Sequence, residues 1–423
     1  MKILIVTPFF PPQNAVASLR PYSWAKYWGR LGHEITVYTT FCYGVFSKLN
    51  TNLDNVKVFE IPIPFIQNFL SSYSETKNIN RKTINISIKR KIVNFIRNIF
   101  RYISDTTGCI LSVRYPDLRD FWVKKIIKRV KNKLFDMVIT TGCPYSVHRV
   151  GLALKKQNSN FFWIVDWRDL WTQNIFFRGI KLFHSYEKYL EKKIHNRCEL
   201  ITTVSIGLAN SLKNITSTRI EVIFNGFDSE DYTKLLVTTR KKNRRYKIVY
   251  LGTFYYGFYN PRPLLIAFSE LNKLKYISPN DIEIIFAGTN CDIREEINKF
   301  YLKDYYKYLG FIPREEALEI QYNADAVLFF SCDAMDGILS GKLFEYLSLS
   351  KEIWSIGTKE MTEADRLIKD ANAGFFGGED IEKIKLHIMD RVFGNNTFGK
   401  KNINFISSFE RKKQAEKILS LVQ

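Results

Sequence analysis

Two kinds of hydrophobic pattern alternate along the chain. Short apolar runs rich in β-branched residues predict buried strands, and longer segments with apolar positions three and four residues apart predict helices. In the first half of the chain, strands are predicted at Lys2–Thr7, Glu34–Thr40, Val56–Ile61, Phe135–Thr141, Phe161–Val165, Leu200–Val204 and Arg219–Phe224. Helices are predicted up to Leu31, over Val147–Lys156 and over Ser185–Asn196. This alternation is typical of a parallel, doubly wound sheet.

A second alternating series begins after the polar, basic segment Leu235–Tyr246, which we interpret as a linker region. Its strands are predicted at Lys247–Leu251, Ile282–Ala287, Ala326–Phe330 and Glu352–Ile356, and its helices at Pro263–Leu274, Arg314–Asn323, from Gly341, and at Ser407–Leu421. A chain of 423 residues exceeds what one hydrophobic core usually serves. We therefore expect domains at 1–235 and 236–405, with a helix in 406–423 that could cross back to the first domain.

The net charge of +21 is concentrated in an insertion of the first domain, at about residues 65–133. Between Arg81 and Lys133, 15 Lys and Arg residues face three Asp residues, a net +12. Such local basicity indicates an anionic partner, either a membrane surface or a nucleic acid. Since no nucleic-acid recognition motif is present, nucleic-acid binding is the remote alternative.

Within this insertion, Ile88–Ile103 has an apolar face at helical spacing and mostly basic and polar residues opposite. This pattern is typical of a helix that lies in a membrane interface. The alternative is a helix that packs on the domain and leaves its basic face in water. Phe121–Lys133 predicts a second basic helix.

Other classes of protein are not indicated. No uncharged apolar run is long enough for a transmembrane helix. The six cysteines are scattered without a CxxC pair, so neither a disulfide framework nor a structural zinc site is predicted, and a reducing cytoplasm is expected.

The stretch Asp336–Leu347 carries the clearest candidate chemistry. A predicted strand runs into a polar loop with glycines, and Lys342 and Glu345 then open a predicted helix. This order aims backbone N–H groups at an anion. Lys342 would add a charge for phosphate, and Glu345 could bind vicinal hydroxyls such as those of a ribose. The stretch suggests a nucleotide held by its diphosphate and its sugar, and the plain alternative is an ordinary βα unit with a solvated Lys and Glu.

A series of short motifs occurs in a fixed order over nearly the whole chain. They are Pro8–Pro12, Gly32–Glu34, Asp166–Trp171, Asn225–Asp228, Gly252, Gly310–Arg314 and Gly341–Leu347. In this order they resemble the GT-B glycosyltransferases, specifically the retaining family 4 type that builds bacterial surface polysaccharides. The resemblance implies two Rossmann-like domains facing a central cleft.

The resemblance also implies a donor site in the second domain. Its residues would be Gly252, Arg262, Asp336, Gly337, Ile338, Leu339, Ser340, Lys342 and Glu345. Arg262 is the nearest candidate for a basic residue that the family usually offers after the first loop, and a surface arginine is the alternative. Many members carry a second glutamate where this chain has Gly337, so either Asp336 substitutes for it or a backbone group contacts the sugar.

The first domain would hold the acceptor. The resemblance implies Asn14, Ser18, Arg20 and Asp169 on the acceptor side, and Asp166, Arg168 and Lys342 as the catalytic set. For Asp166 and Arg168 the alternative is a buried ion pair that braces its loop, and for Arg20 it is an arginine on a helix surface. Pro21 is expected in the first turn of its helix, where a missing N–H is tolerated.

The implied reaction moves a sugar from a nucleoside diphosphate to a hydroxyl of a glycan acceptor, with retention, and without a cofactor or a metal. The acceptor would be lipid-linked, and Ile88–Ile103 would hold the enzyme at the inner face of the cell membrane. The alternatives are a non-catalytic relative or another enzyme of this fold, such as an epimerase or a phosphorylase. The oligomeric state is open.

Overall fold

A computed structural model describes residues 1–13, 16–41, 53–63, 88–110, 113–142, 144–232, 244–394 and 398–422. The chain forms two compact units. The first unit contains residues 1–224 and 415–423, and the second contains residues 225–414. The predicted boundary at 235 lies outside the described residues, as does most of the predicted linker.

The first unit is built on seven parallel strands. They are β1 (Lys2–Val6), β2 (Glu34–Thr40), β3 (Val56–Ile61), β4 (Met137–Thr141), β5 (Phe162–Trp167), β6 (Leu200–Thr203) and β7 (Ile220–Val222). Their order in the sheet is β3-β2-β1-β4-β5-β6-β7, with Ile5 opposite Val37 on one side and Ile139 on the other. The helices are α1 (Val16–Arg30), α2 (Ile88–Thr107), α3 (Arg119–Val130), α4 (His148–Gln157), α5 (His184–His195) and α6 (Ile206–Lys213).

Both faces of this sheet are covered by apolar side chains, as a parallel sheet requires. On one face Trp24 and Trp28 of α1 stack at 5.9 Å between ring centroids. The indole N–H of Trp28 donates to the carbonyl oxygen of Ala415 at 2.9 Å, and Ile418 completes the same cluster. The end of the chain is therefore part of the core of the first unit.

The second unit has six parallel strands in the order β10-β9-β8-β11-β12-β13. The strands are β8 (Tyr246–Leu251), β9 (Ile282–Ala287), β10 (Tyr306–Tyr308), β11 (Ala326–Phe330), β12 (Glu352–Ile356) and β13 (Gly374–Gly378). The helices are α7 (Arg262–Lys273), α8 (Arg294–Lys299), α9 (Arg314–Asn323), α10 (Gly341–Ser348), α11 (Glu363–Asp370), α12 (Ile381–Phe393), α13 (Ile403–Ser407) and α14 (Arg411–Ser420). The last of these belongs to the first unit from residue 415 onwards.

Two parallel sheets interleaved with helices confirm the predicted fold class. The strand order reverses between β1 and β4 in the first unit and between β8 and β11 in the second. In open sheets of this kind, ligands bind beside the carboxyl ends of the strands at such a reversal. A ligand site in the second unit is therefore expected at the loops after β8 and β11.

Most of the elements that the sequence did not predict have eight residues or fewer, and the exception is α12, which has 13. Strand β13 has the sequence GFFGG, which lacks the branched side chains that signal a strand. Gly374 is needed there because a side chain would collide with the backbone of Ile353 on β12. Among the described residues, no helix is long and apolar enough to cross a membrane.

Candidate functional site

The loop after β8 brings Gly252 against the side chain of Lys342. Gly252 has φ of +119°, a conformation that favours glycine, and its amide donates to the carbonyl of Ala287 at 2.7 Å. A Cβ atom at Gly252 would overlap the Cε and Nζ atoms of Lys342. Because Gly252 has no side chain, the side chain of Lys342 can pass across the end of β8.

Lys342 lies at the start of α10 with its ammonium group turned towards the end of β8. Its Nζ donates to the hydroxyl oxygen of Tyr250 at 3.1 Å and to the carbonyl of Thr253 at 3.4 Å. The same nitrogen lies 4.5 Å from the centroid of the Tyr250 ring. Burial lowers the pKa of Lys342 to about 8, although Cys291 and Glu345 act in the opposite direction. At neutral pH the group is therefore a partly buried cation.

Glu345, one turn further along α10, is held by an arginine that the sequence analysis did not assign to the site. Arg314 donates from Nη1 to Glu345 Oε1 at 2.9 Å and from Nη2 to Asp231 Oδ2 at 2.9 Å. Burial alone would lower the pKa of Arg314, but the two carboxylates raise it above its ordinary value. The arginine therefore stays charged and fixes the direction of the Glu345 carboxylate.

Arg314 ends the Gly310–Arg314 motif, which was recognised only as part of the resemblance. Its separation of 31 positions from Glu345 gives no periodic signal. Arg314 is the first residue of α9, where a positive charge is unfavourable because of the helix dipole. This unusual position is the one feature of the sequence that could have indicated a functional role for Arg314.

The N-terminus of α10 is capped by Ser340, whose Oγ accepts from the amide of Lys342 at 3.3 Å. Gly337 has φ of +82° in the preceding loop. The carbonyl of Leu339 accepts from the side-chain amide of Asn225 at 3.5 Å. These contacts fix a loop whose turn needs a glycine and whose end presents helix N–H groups.

Asp336 has partners within the second unit. Its Oδ1 accepts from the amide of Gly337 at 2.9 Å and from the amide of Glu363 at 2.6 Å, at the start of α11. Arg366 lies 3.7 Å from its other oxygen. The carboxylate thus joins the loop after β11 to the N-terminus of α11, a location that favours negative charge.

A pocket of about 130 Å³ lies beside this loop within the second unit. Ile338 and Leu339 line it from the loop, and Tyr255, Tyr259 and Phe330 contribute aromatic surface. The pocket also has a polar part, formed by Ser331, Cys332, Asp336, Gly337, Ser340 and Thr362. The lining of this pocket is therefore part aromatic and part polar, and it includes Ser340, the residue that caps α10.

Arg262 is exposed at the first position of α7. Its backbone amide donates to the side chain of Asn260 at 3.2 Å. In the described part of the chain, no hydrogen bond or ion pair links its side chain to Lys342 or Glu345. The structure therefore assembles the predicted donor residues around Lys342 and the loop, and places Arg262 on the surface.

In the first unit, Asp166 and Arg20 form a fully buried ion pair. Arg20 donates from Nη2 to Asp166 Oδ1 at 2.8 Å and from Nε to Oδ2 at 3.2 Å. Thr141 and Thr202 donate to the same carboxylate. Burial would raise the pKa of Asp166, but the charge and hydrogen bonds of Arg20 hold it below its ordinary value. The pair joins α1 to the end of β5.

Arg20 is thus not the surface arginine that the sequence left as an alternative. Its Nη1 also donates to the carbonyls of Ile223 at 2.8 Å and Phe224 at 2.9 Å. Asp166 has no exposed surface, and the pair joins α1 to the end of β5 and to the segment that follows β7. We therefore assign Arg20 and Asp166 a bracing role.

The side chain of Arg168 compensates for the proline inside α1. The expectation that Pro21 lies in the first turn of its helix is wrong, because α1 begins at Val16 and Pro21 lies within it. Proline has no N–H to donate to the carbonyl four residues before it, which is that of Ala17. Arg168 Nη1 donates to the carbonyl of Ala17 at 2.9 Å and so replaces the missing bond.

The other acceptor-side candidates differ in accessibility. Asn14 lies outside the described residues, and Ser18 is fully buried. Asp169 is partly exposed, and burial raises its pKa while the charge of Arg168 offsets part of that effect. Among the described residues, no group of three or more His, Cys, Asp or Glu side chains could hold a metal ion.

No protein-family model and no curated protein matches the chain. Among solved structures it is similar to sucrose-phosphate synthase from Thermosynechococcus elongatus, at 12% identity over 99% of this chain and 98% of that chain, with a TM-score of 0.60. It is also similar to the apo form of the lipopolysaccharide outer core galactosyltransferase WaaB, at 12% identity over 100% and 99% of the two chains, with a TM-score of 0.57.

A third similar structure is the UDP-GlcNAc 2-epimerase from Methanocaldococcus jannaschii, at 14% identity over 100% and 99% of the two chains, with a TM-score of 0.53. At such identities the likeness shows the fold alone. The chain has the two-domain α/β fold known as GT-B.

Proposed function

We propose that the protein is a glycosyltransferase that moves a sugar from a nucleoside diphosphate to a hydroxyl of a glycan acceptor. The observation that carries this proposal is the arrangement of Lys342, Gly252 and Glu345 beside the N-terminus of α10, at the strand reversal of the second unit. A partly buried cation and helix N–H groups suit a diphosphate, and an oriented carboxylate suits a ribose. Two of the similar structures, sucrose-phosphate synthase and WaaB, are named as enzymes that join sugars.

In this proposal Lys342 and the amides of α10 stabilise the negative charge that develops on the leaving diphosphate. Glu345, directed by Arg314, holds the ribose hydroxyls. The departing phosphate oxygen accepts the proton of the attacking hydroxyl, which agrees with retention at the anomeric carbon. The pocket of about 130 Å³ beside Gly337 would receive part of the donor.

We further propose that the acceptor is a lipid-linked glycan of surface polysaccharide synthesis and that the protein lies at the inner face of the cell membrane. The support is α2, where two residues of the predicted apolar face, Phe95 and Ile99, are exposed and Ile103 is partly exposed. Phe95, Ile99 and Tyr102 recur at helical spacing and are 65%, 42% and 71% exposed. Apolar rows on a basic helix favour a membrane interface.

A nucleotide-sugar epimerase is the second candidate, because the epimerase of M. jannaschii has a similar fold. The two functions differ in their need for an acceptor. When the purified protein is incubated with a panel of nucleotide sugars, a transferase releases the nucleoside diphosphate faster with an acceptor glycan present. An epimerase instead converts the donor to a second nucleotide sugar without releasing the diphosphate, which would contradict the proposal.

Replacing Glu345 with alanine is expected to weaken nucleotide binding by about 10- to 100-fold, because a hydrogen bond to a charged group contributes roughly 1.5–3 kcal/mol. Isothermal titration with UDP and with its 2′,3′-dideoxy analogue isolates the ribose contact. The wild type should prefer UDP, and Glu345→Ala should bind both equally. The matched control is Glu316→Ala, which removes an exposed carboxylate of α9. If the variant keeps the wild-type preference for UDP, Glu345 does not contact the ribose.

The affinity for UDP is expected to fall above pH 8. The pKa of Lys342 is lowered to about 8, so its charge is present below that pH and is lost above it. Binding of an anion that favours the charged form should therefore weaken by about tenfold per pH unit above pH 8. Titrations between pH 7 and 9.5 measure this slope, and Lys342→Met should remove it. A slope that persists in Lys342→Met would assign the titration to another group.

A further inference from the structure

A second basic surface lies on α5, outside the insertion that the sequence identified. The segment from Arg178 to Arg197 contains two glutamates, so its sequence does not read as a block of positive charge. The structure turns both glutamates inwards. Glu187 is fully buried and accepts from Arg114 Nη2 at 2.6 Å, and Glu191 accepts from the hydroxyl of Thr172 at 2.5 Å.

The outward charges of this segment are therefore all positive. The exposed basic residues are Arg178, Lys181, Lys188, Lys192 and Arg197. Lys188 and Lys192 lie one turn apart on α5, and Lys181 lies in the 3-10 turn Lys181–Phe183 directly before it. Because the acidic partners are buried, these cations are not neutralised by neighbours on their own helix.

An apolar row runs beside the basic row. Leu182, Tyr186 and Tyr189 are spaced four and three residues apart and are all exposed, with Leu182 at 82%. Tyrosine is common at the level of lipid head groups, since its ring is apolar and its hydroxyl is polar. We define Lys181, Leu182, Tyr186, Lys188, Tyr189 and Lys192 together as the α5 face.

The α5 face is joined to α2 within the first unit. The amide of Gly179 donates to the carbonyl of Thr107, the last residue of α2, at 3.0 Å. This hydrogen bond holds the end of α2 beside the chain two residues before the α5 face. The α5 face therefore begins next to the end of α2, whose residues Phe95, Ile99 and Tyr102 are exposed.

We propose that the α5 face binds the surface of an anionic lipid bilayer. Positive charge attracts acidic head groups, and Leu182 and the tyrosines can enter the boundary between head groups and acyl chains. The apolar row favours a bilayer over a nucleic acid, whose backbone offers no partner for an exposed leucine. The inference extends the proposed membrane location to a surface beyond α2.

The first test removes charge from the α5 face of the full-length protein. Flotation with phosphatidylcholine vesicles containing about 30% phosphatidylglycerol measures the partition coefficient. Each surface cation contributes about 1 kcal/mol near an anionic membrane, which corresponds to about fivefold in binding. Lys181→Gln, Lys188→Gln and Lys192→Gln combined should therefore weaken binding far more than the control triple Lys156→Gln, Lys213→Gln and Lys273→Gln, which removes equal charge from exposed lysines elsewhere.

The second test addresses the apolar row. Leu182→Glu should lower binding to the same vesicles at least tenfold, while Leu386→Glu, which changes a similarly exposed leucine in the second unit, serves as the matched control. Thermal unfolding and titration with UDP on all variants confirm that the fold and the nucleotide site are intact.

The outcomes separate this inference from the proposed function. Equal partitioning of the α5 and control variants would overturn it, and loss of binding only on Phe95→Glu would leave α2 as the membrane contact. If the α5 variants lose binding to an oligonucleotide but keep vesicle binding, the partner is a nucleic acid. Transfer from a nucleotide sugar to a soluble acceptor that persists in every vesicle-deficient variant supports the proposed activity separately.

Discussion

Replacing Lys342 with methionine is expected to lower the turnover number for sugar transfer by about 10²- to 10³-fold, the usual effect of losing one preorganised donor at a developing anion. Methionine keeps an unbranched chain that passes over Gly252, so the space beside the glycine stays filled. The loss should exceed the loss in affinity for the intact donor, because the diphosphate gains charge as the sugar departs. Steady-state kinetics with the donor identified by screening measures both effects.

The control for this prediction is Lys369→Met, which removes an exposed lysine from α11 in the same unit. It should leave the kinetics unchanged. If Lys342→Met loses affinity but keeps the wild-type turnover number, Lys342 binds the diphosphate equally in the ground state and the transition state. Its role would then be binding, and the electrostatic part of the mechanism would fall to the amides of α10.

Replacing Asp166 with alanine is expected to lower the free energy of unfolding of the first unit by about 3–5 kcal/mol, because it leaves the buried guanidinium of Arg20 unpaired. Urea unfolding followed by tryptophan fluorescence suits this measurement, since Trp24 lies 4.8 Å from the Arg20 guanidinium. The combined change Arg20→Met with Asp166→Leu should recover much of the loss, because removing both charges abolishes the unpaired group.

This pair of variants also decides between the two roles of Asp166. The bracing role predicts that transfer activity follows the folded fraction and returns with the double variant. An Asp166→Ala protein that is as stable as the wild type but inactive would restore the catalytic role that the resemblance implies. Binding of UDP should be preserved in either case, since the nucleotide residues belong to the second unit.

The regular part of the fold was predictable because it depends on local pattern. Strand β11 and helix α9 have the predicted bounds, since a continuous apolar run and a proline before Arg314 mark them without help from distant residues. The class of fold follows from alternation alone. Strand β13 was not predicted because Gly374 is required by the close backbone of the neighbouring strand β12, and local sequence gives no information on that contact.

The loop and helix start of the candidate site were predictable from the sequence, but the ion pairs that orient its residues were not. The motif around Lys342 and Glu345 marks a helix start with a cation and a carboxylate. That Arg314 orients Glu345, and that Arg20 rather than Arg168 pairs with Asp166, depends on which elements the fold makes adjacent. Sequence spacing carries no information on such partners when they are 31 or 146 residues apart.

The crossing of Lys342 over Gly252 has an evolutionary consequence. A side chain at position 252 would have to adopt φ of +119° and would displace the end of the Lys342 side chain from its present place. We therefore expect the two positions, ninety residues apart, to vary together. In an alignment of relatives, lysine at 342 should occur with glycine at 252 and be rare without it.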